Sequence, residues 1–350
     1  MTVRLRPAMA ALPAYVAGRK TPGAVILASN ESPYGLLPAV AATIDGLTAG
    51  VSRYPDMMST ALIEAIATHH QVAPEQIAVG AGSVEVVGQL ASAVVDGGDE
   101  VLFGWRAFEA YPIITTVVGG TAVKIPLRDE VHDLGAMLAA ITPRTRLVIV
   151  CNPNNPTGTA VGDELAKFVS EVPEDVLVVI DEAYHHYADP AVVPDAAVAF
   201  RDQPNVVVTR TFSKAFALAG LRVGYCVGPA DIVTAVRKTQ VPFSVSGLAQ
   251  QCAIAALSEE EEVRRRAALT VAERDRVAVA LRELGYPVPV SQANFVWLPI
   301  GDDAAAFAEH CTAGNVLVRP FTGEGVRVTT GLPDENDRFL ALAESWVSRS

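Results

Sequence analysis

Thr211-Phe212-Ser213-Lys214-Ala215-Phe216-Ala217-Leu218-Ala219-Gly220-Leu221-Arg222-Val223-Gly224-Tyr225, entered from the apolar run Val206-Val207-Val208, is the stretch on which the reading of this chain turns. Three consecutive β-branched residues fit a parallel strand buried on both faces. Just beyond it, Lys214 sits among small and apolar residues, with Arg222 close behind in the chain. Poor solvation and a neighbouring cation both disfavour an ammonium, so the Lys214 pKa is expected to fall below the free value of about 10.4. A neutral amine in a dry site is what Schiff-base chemistry with an aldehyde requires. A lone lysine after a strand is more often an ordinary loop residue with its head in water, so the rest of the chain must decide.

With 350 residues the chain is long enough for two domains or one large one. Half of the residues are hydrophobic and 19% are charged, so a sizeable core is available. The net charge of −12 disfavours nucleic acid or an anionic membrane as partner. Cys151, Cys226, Cys252 and Cys311 are scattered without metal-type spacing, which fits reduced thiols in the cytoplasm. The adjacent pairs His69-His70 and His185-His186 are expected to diverge, so no metal site is read there. Residues 1–18 lack the long apolar core of a signal peptide, and no apolar run approaches the roughly 18 residues of a membrane span.

Working outward from the lysine, Val176-Leu177-Val178-Val179-Ile180-Asp181-Glu182-Ala183-Tyr184 is a wholly apolar strand that delivers Asp181 at its end. A carboxylate there is costly unless paired. It either caps a helix or faces a cationic ligand. Arg146-Leu147-Val148-Ile149-Val150-Cys151 is a second buried-strand pattern, and it ends in the rigid turn Asn152-Pro153-Asn154-Asn155-Pro156-Thr157-Gly158. In alternating β/α chains, ligands bind at such carboxyl ends of strands. Residues 77–85 read as strand, glycine turn and helix start. Gly80, Ala81 and Gly82 let the backbone approach an anion, and free N–H groups at the helix start hold a phosphate. A dinucleotide fingerprint fails here, because Glu85 stands where the third glycine belongs.

Residues 100–104 form a further expected strand, followed by the aromatic residues Trp105, Phe108 and Tyr111. Pro7, Pro13, Pro22 and Gly23 break residues 1–30 into an arm. Residues 257–284, acidic and then basic, are expected to be a solvated helical connector. Beyond it, residues 294–298, 316–318 and 326–329 are expected to pair as a small sheet, with Arg319 and Arg327 ending or interrupting apolar runs. The expected division is an arm over 1–30, a large domain over 31–245 and a small C-terminal domain over 246–350, on which the N-terminal segment packs.

In this order, the motifs resemble the fold-type-I pyridoxal-phosphate aminotransferases, in the branch that contains histidinol-phosphate aminotransferase. The pattern Ser-Lys-x-x-x-x-x-Gly-x-Arg is met by Ser213, Lys214, Gly220 and Arg222. Leu27-Ala28-Ser29-Asn30-Glu31 and Asn155-Pro156-Thr157-Gly158 resemble two further family segments. The resemblance implies an α/β fold: a mostly parallel seven-stranded sheet flanked by helices, plus a small α+β domain. It implies pyridoxal 5'-phosphate held as a Schiff base on Lys214. Asp181 then faces the pyridine nitrogen and keeps it protonated, while Asn155 and Tyr184 bond the phenolic oxygen. Phe108 stacks on the ring, with Trp105 as an alternative pocket residue. Gly82 and Ser83 of the glycine turn and Arg222 hold the phosphate, and Thr211 and Ser213 also bind the cofactor. Arg327, with Arg319 nearby, grips the acidic end of the substrate, and Tyr15, Asn30, Phe108 and Phe243 complete that site. Tyr54, in Arg53-Tyr54-Pro55-Asp56, reaches the phosphate of the neighbouring subunit, which implies a homodimer with shared active sites. The implied chemistry is a two-stage transamination of small amino and keto acids, in which Lys214 carries the α-proton and the kinetics are ping-pong. Blander roles stay open residue by residue: Asn30 as a turn former before Pro33, Tyr54 and Phe108 as packing aromatics, Arg319 and Arg327 as surface ion pairs.

Two substrates compete within this resemblance. The histidinol-phosphate branch commonly carries a polar residue where this chain has Val84, and tyrosines where it has Phe108 and Phe243. A site short of polar partners suits a phenyl ring better than an imidazole and a phosphate. The expectation is therefore an aromatic amino acid (phenylalanine, tyrosine, tryptophan) with 2-oxoglutarate or another keto acid as acceptor. Histidinol phosphate is the alternative, and a phosphothreonine-type decarboxylase a remote one. A nicotinamide dehydrogenase fails on the glycine pattern, and a non-catalytic DNA-binding regulator would need a basic patch that this chain lacks.

Overall fold

Apolar strand sequences dictate a sheet covered on both faces, and the chain builds one. The computed structural model describes residues 3–12, 22–47 and 51–348. Among these, the strands in chain order are β1 (Val25–Ile26), β2 (Ile77–Gly80), β3 (Glu100–Trp105), β4 (Thr121–Pro126), β5 (Thr145–Cys151), β6 (Leu177–Asp181), β7 (Val206–Thr211), β8 (Gly224–Val227), β9 (Phe295–Gly301), β10 (Val316–Leu317), β11 (Arg319–Phe321) and β12 (Glu324–Thr329). Seven of them form one sheet in the order β2-β8-β7-β6-β5-β3-β4. It is parallel except for β8, which runs against both of its neighbours. This is the expected α/β architecture.

Alternation along the central strands sorts their side chains between two cores. Ile149, Val179 and Val207 point into one cluster with Leu90, Phe103 and Tyr111, under the helices Ser83–Val94 and Ala110–Val118. Val148, Val178 and Val208 point into the other, with Leu165 and Phe168 from the helix Glu164–Glu171. Each such valine or isoleucine contributes roughly 1.5–3 kcal/mol on burial. By the same period of two, Asp181 and Thr209 face the first cluster, and Glu182 and Arg210 the opposite side.

The edge strand β4 was not among the expected strands. Its sequence, Thr-Ala-Val-Lys-Ile-Pro, is half-exposed and lacks the continuous apolar signal of the buried strands.

Three expectations need correction. The core around Phe212 and Phe216, a third cluster, does not stop at residue 245. The helix Gly247–Leu257 buries Ala249, Cys252, Ala253 and Ala256 in the same cluster as Phe212 and Phe216. The change of core falls within the following helix, Glu260–Glu283, where Val263 and Ala267 belong to that cluster and Val277 and Leu281 to the C-terminal one. That helix is therefore no solvated connector, because the stripe Val263, Ala267, Thr270, Arg274, Val277 and Leu281 is buried at helical spacing. Finally, the small antiparallel sheet is β11-β12-β9, and Val316–Leu317 lies outside it. Those two residues pair in parallel with Val25–Ile26. Leu27 N–H then donates to the Leu317 carbonyl at 2.8 Å, and the Leu27 carbonyl accepts from Thr329 N–H at 2.9 Å. The N-terminal segment is thus laced between β10 and β12, which places residues 28–31 beside the carboxyl ends of the large sheet. Among the described residues, no helix is long and apolar enough to cross a membrane, and no group of side chains is arranged to hold a metal ion.

Candidate active site

β5, β6 and β7 end side by side, and the residues that follow them wall a cavity of about 320 Å3. Asn155, Asp181, Tyr184, Thr211, Ser213, Lys214 and Arg222 line it from the large sheet, Arg319, Phe321 and Arg327 from the small one, and Asn30 from the laced segment.

Asp181 is buried at its floor. Tyr111 Oη donates to Oδ2 at 2.7 Å and Thr209 Oγ1 donates to Oδ1 at 3.1 Å. Thr209 stands opposite Asp181 in the β6–β7 register, which explains its reach. Burial pushes the Asp181 pKa up, and the two hydroxyls pull it back. Both side-chain donors are neutral, so a cationic ring nitrogen would supply charge compensation that they do not.

Lys214 stands beyond the β7 end, half-buried and lining the cavity, with Nζ donating to the Ser29 carbonyl at 3.1 Å. Its pKa falls to about 7, chiefly by burial, next through the charge of Arg327; Arg222 adds less, and Glu31 opposes. The drop agrees in direction with the sequence-based expectation. The leading cation, however, comes from a strand 113 positions away rather than from Arg222, since Arg327 follows Lys214 by that distance in the chain.

Arg327 is buried. Its Nη1 donates to Asn155 Oδ1 at 2.5 Å and its Nη2 to the Ala28 carbonyl at 2.6 Å. The amide nitrogen of Asn155 is therefore the end left for another acceptor. Asn30 takes up the left-handed backbone (φ 54°) and is fully engaged. Its Nδ2 donates to Tyr184 Oη at 2.9 Å, and its Oδ1 accepts from Thr329 Oγ1 at 3.0 Å. Burial holds the Tyr184 pKa up, at about 12, so its hydroxyl keeps its proton at neutral pH.

At the other end of the cavity, the helix Ser83–Val94 begins at Gly82, whose φ of 85° suits glycine. A Cβ on Gly82 would run into the guanidinium of Arg222. Arg222 Nη1 donates to Ser213 Oγ at 3.2 Å and to the Ala219 carbonyl at 3.0 Å. Thr211 Oγ1 accepts from Ser213 N–H at 3.1 Å and so shapes the turn before Lys214. Glu85 accepts from Ala81 N–H and closes the glycine turn. A helix start, two serines and an arginine form a donor set suited to a phosphate.

The remaining expected residues fall in different places. Phe108 is half-buried in the lining and meets Tyr111 edge-on at 5.6 Å. Trp105 is outside the lining, with the Lys124 ammonium 4.1 Å and the Arg106 guanidinium 4.5 Å from its ring centroid. Phe243 is also outside it. Its left-handed backbone (φ 63°) sets its ring on Tyr54, centroids 4.7 Å apart, with Tyr54 85% exposed. Within one chain, neither reaches the cavity. Tyr15 lies outside the described residues. The adjacent histidines do not diverge: His69 and His70 meet edge-to-face at 4.9 Å and His185 and His186 at 5.4 Å.

Residues 22–342 match the family model of class I and II aminotransferases. The chain belongs to that family. Proteins named aromatic amino acid aminotransferase from Thermobifida fusca and from Mycolicibacterium paratuberculosis are each 51% identical to this aminotransferase. They align over 351 and 353 residues, covering 99% and 100% of this chain and 98% and 99% of theirs. The structure of histidinol-phosphate aminotransferase from Sinorhizobium meliloti, in complex with pyridoxal-5'-phosphate, matches with a TM-score of 0.91 at 28% identity, covering 100% of this chain and 99% of that one.

Sequence reasoning did not find Tyr111, Thr209, Glu109 or Phe321 as site residues. Thr209 had a signal, since it breaks the Val206-Val207-Val208 run with a polar residue on the parity of Val207. Glu109 and Phe321 had none, because their place depends on how the small sheet docks.

Proposed function

We propose that this aminotransferase moves amino groups from aromatic amino acids (phenylalanine, tyrosine, tryptophan) to 2-oxoglutarate or another keto acid, with pyridoxal 5'-phosphate as cofactor. The observation that carries the reading is one cavity that joins an amine depressed to about 7, Lys214, to a buried carboxyl with neutral side-chain donors, Asp181. The residue set fits the cofactor. Ser83, Ser213 and Arg222 would hold its phosphate, Asn155 and Tyr184 its phenolic oxygen, and Asp181 its ring nitrogen. When bound, pyridoxal 5'-phosphate supplies an aldehyde that condenses with amines and a ring that withdraws electrons. Asp181 would face the ring nitrogen and hold a proton there. Lys214, its pKa lowered to about 7, would take the α-proton of the amino acid as a general base. Tyr184 donates from a hydroxyl that stays protonated, and Arg327 fixes the α-carboxylate.

The aromatic substrate is supported by the apolar part of the lining, where Val84, Ala107, Phe108 and Phe321 stand, and by the names of the relatives at 51% identity. We also assign a cytoplasmic homodimer with shared sites. The contact of the Tyr54 and Phe243 rings, 4.7 Å apart and both exposed in one chain, supports this reading, since a second copy would cover them.

The substrate reading is tested by kcat/KM for phenylalanine against histidinol phosphate, with 2-oxoglutarate as acceptor. A preference for phenylalanine of about tenfold or more is expected, a difference that 1.4 kcal/mol of selective binding supplies. A preference for histidinol phosphate overturns the reading.

A further inference from the structure

β12 meets the laced segment through alternate residues. Arg327 and Thr329 leave the same face of the strand. Arg327 binds the Ala28 carbonyl, and Thr329 binds Asn30. Thr329 and Asn30 are both buried. Thr329 holds Asn30 at two points: its Oγ1 accepts from the Asn30 N–H at 2.9 Å and donates to Asn30 Oδ1 at 3.0 Å. The Asn30 carbonyl accepts from Asn294 Nδ2 at 3.2 Å, so backbone and side chain are both fixed. The directions of these bonds follow from what each group has to give. A backbone N–H can only donate, so the Thr329 oxygen accepts, and its own proton goes to Oδ1. Nδ2 is then the end that faces Tyr184 Oη, at 2.9 Å, and it has only hydrogens to offer. Tyr184 Oη accepts from it, and the one proton of the phenol is left for the cavity that Tyr184 lines. The opposite amide orientation would aim two N–H donors at the Thr329 oxygen and spend the Tyr184 proton on Oδ1. The Tyr184 ring is held by the same pair of strands, because Phe295, opposite Thr329 in the β9–β12 register, meets it edge-on at 5.1 Å.

We propose that Thr329 is a positioning residue for the reaction: its clasp on Asn30 sets the amide so that the Tyr184 hydroxyl serves the cavity as a donor. The inference rests on the transaminase reading of the same cavity, in which that hydroxyl would meet the phenolic oxygen of pyridoxal 5'-phosphate. Thr329 is outside the cavity lining and acts through Asn30 and Tyr184. A donor aimed at the phenolic oxygen stabilises negative charge there. The proton that the bound chromophore shares between this oxygen and the Lys214 nitrogen is then lost at a lower pH. Where the donor is misdirected, that pH rises.

The test loads the parent, Thr329→Val, Thr329→Ser, Tyr184→Phe and the double variant Thr329→Val/Tyr184→Phe with pyridoxal 5'-phosphate. The pH midpoint of the visible absorbance change is measured without substrate. Tyr184→Phe is expected to raise the midpoint by about one to two units, the scale of one hydrogen bond to a charged group. Thr329→Val should raise it by about half a unit or more, and Thr329→Ser, which keeps the hydroxyl, should stay within about 0.2 unit of the parent. In the double variant, Thr329→Val should add nothing to Tyr184→Phe, because its effect passes through that hydroxyl. Asn30→Gly, alone and with Tyr184→Phe, reads the same link should Thr329→Val fail to fold, since glycine takes the left-handed backbone without strain. Midpoints unmoved in Thr329→Val or Asn30→Gly, a shift as large in Thr329→Ser, or shifts that persist in full beside Tyr184→Phe overturn the proposal alone. A parent that takes up no pyridoxal 5'-phosphate on Lys214 overturns the transaminase reading and the proposal with it.

Discussion

Tyr111→Phe removes a single hydroxyl from beneath the candidate cofactor site, and its effect can be worked out from the geometry. The Tyr111 ring is fully buried, with Phe103 at 5.7 Å and Phe108 at 5.6 Å, so phenylalanine keeps the packing. What is lost is the 2.7 Å donation to Asp181 Oδ2. A hydrogen bond to a charged group contributes about 1.5–3 kcal/mol, and Thr209 remains as a 3.1 Å donor to the other oxygen. At 1.36 kcal/mol per tenfold, kcat/KM should fall about 10- to 100-fold. The pH profile supplies the sign. Burial already raises the Asp181 pKa, and Tyr111 is the largest opposing influence. Without it the pKa rises further, so the carboxylate is lost at a higher pH and the acid limb of kcat/KM moves up in pH. Steady-state kinetics with phenylalanine and 2-oxoglutarate over a pH series measures both, alongside a pyridoxal 5'-phosphate titration. If kcat/KM stays within twofold of the parent and the acid limb does not move, Tyr111 does not position Asp181, and the assignment of Asp181 to the ring nitrogen loses its support.

In the cofactor-free protein, Lys214 should react with an amine-directed reagent with a midpoint near pH 7 instead of about 10.5, its rate rising with pH. The same depression means that the folded chain binds fewer protons than the unfolded one between those values, so this group's contribution to stability increases as pH rises through that window. Denaturant melts of the parent and Lys214→Met across it would register the difference in slope. Glu182→Gln weakens the buried pair with Arg210, whose Nε and Nη2 donate to Glu182 Oε2 at 2.9 and 2.7 Å. It should cost about 3 kcal/mol, the low end for a broken buried pair, because Asp195 still accepts from Arg210 at 2.6 Å; urea unfolding reads it. Mixing Tyr54→Ala with Lys214→Ala should regenerate turnover if Tyr54 serves the partner's cavity, since one site per mixed dimer is then intact; no recovery in a verified mixed dimer counts against shared sites.

The strands that were legible in the sequence are those buried on both faces. The apolar runs of β5, β6 and β7 needed no partner to declare themselves, and Asn155, Asp181 and Lys214 were found because each follows such a run. The two-residue strands β1 and β10 have no period to read, and β10 could as well have joined β9 and β12. Its pairing with Val25–Ile26 is a tertiary choice, and it carries Asn30 to Tyr184 across 154 positions. The contacts that tune the site are of the same long-range kind. Tyr111 reaches Asp181 over 70 positions and Glu109 reaches Arg319 over 210. Residue type marks the candidate groups, because an amine or carboxylate at a strand's end is conspicuous. The groups around them are ordinary residues, and only long-range packing makes them neighbours. Lys214 joins the two cases. Its burial was expected from the local sequence, whereas the leading charge on it comes from Arg327 on the small sheet. Movement of that sheet relative to the large one would therefore change the basicity of the lysine as well as the shape of the cavity.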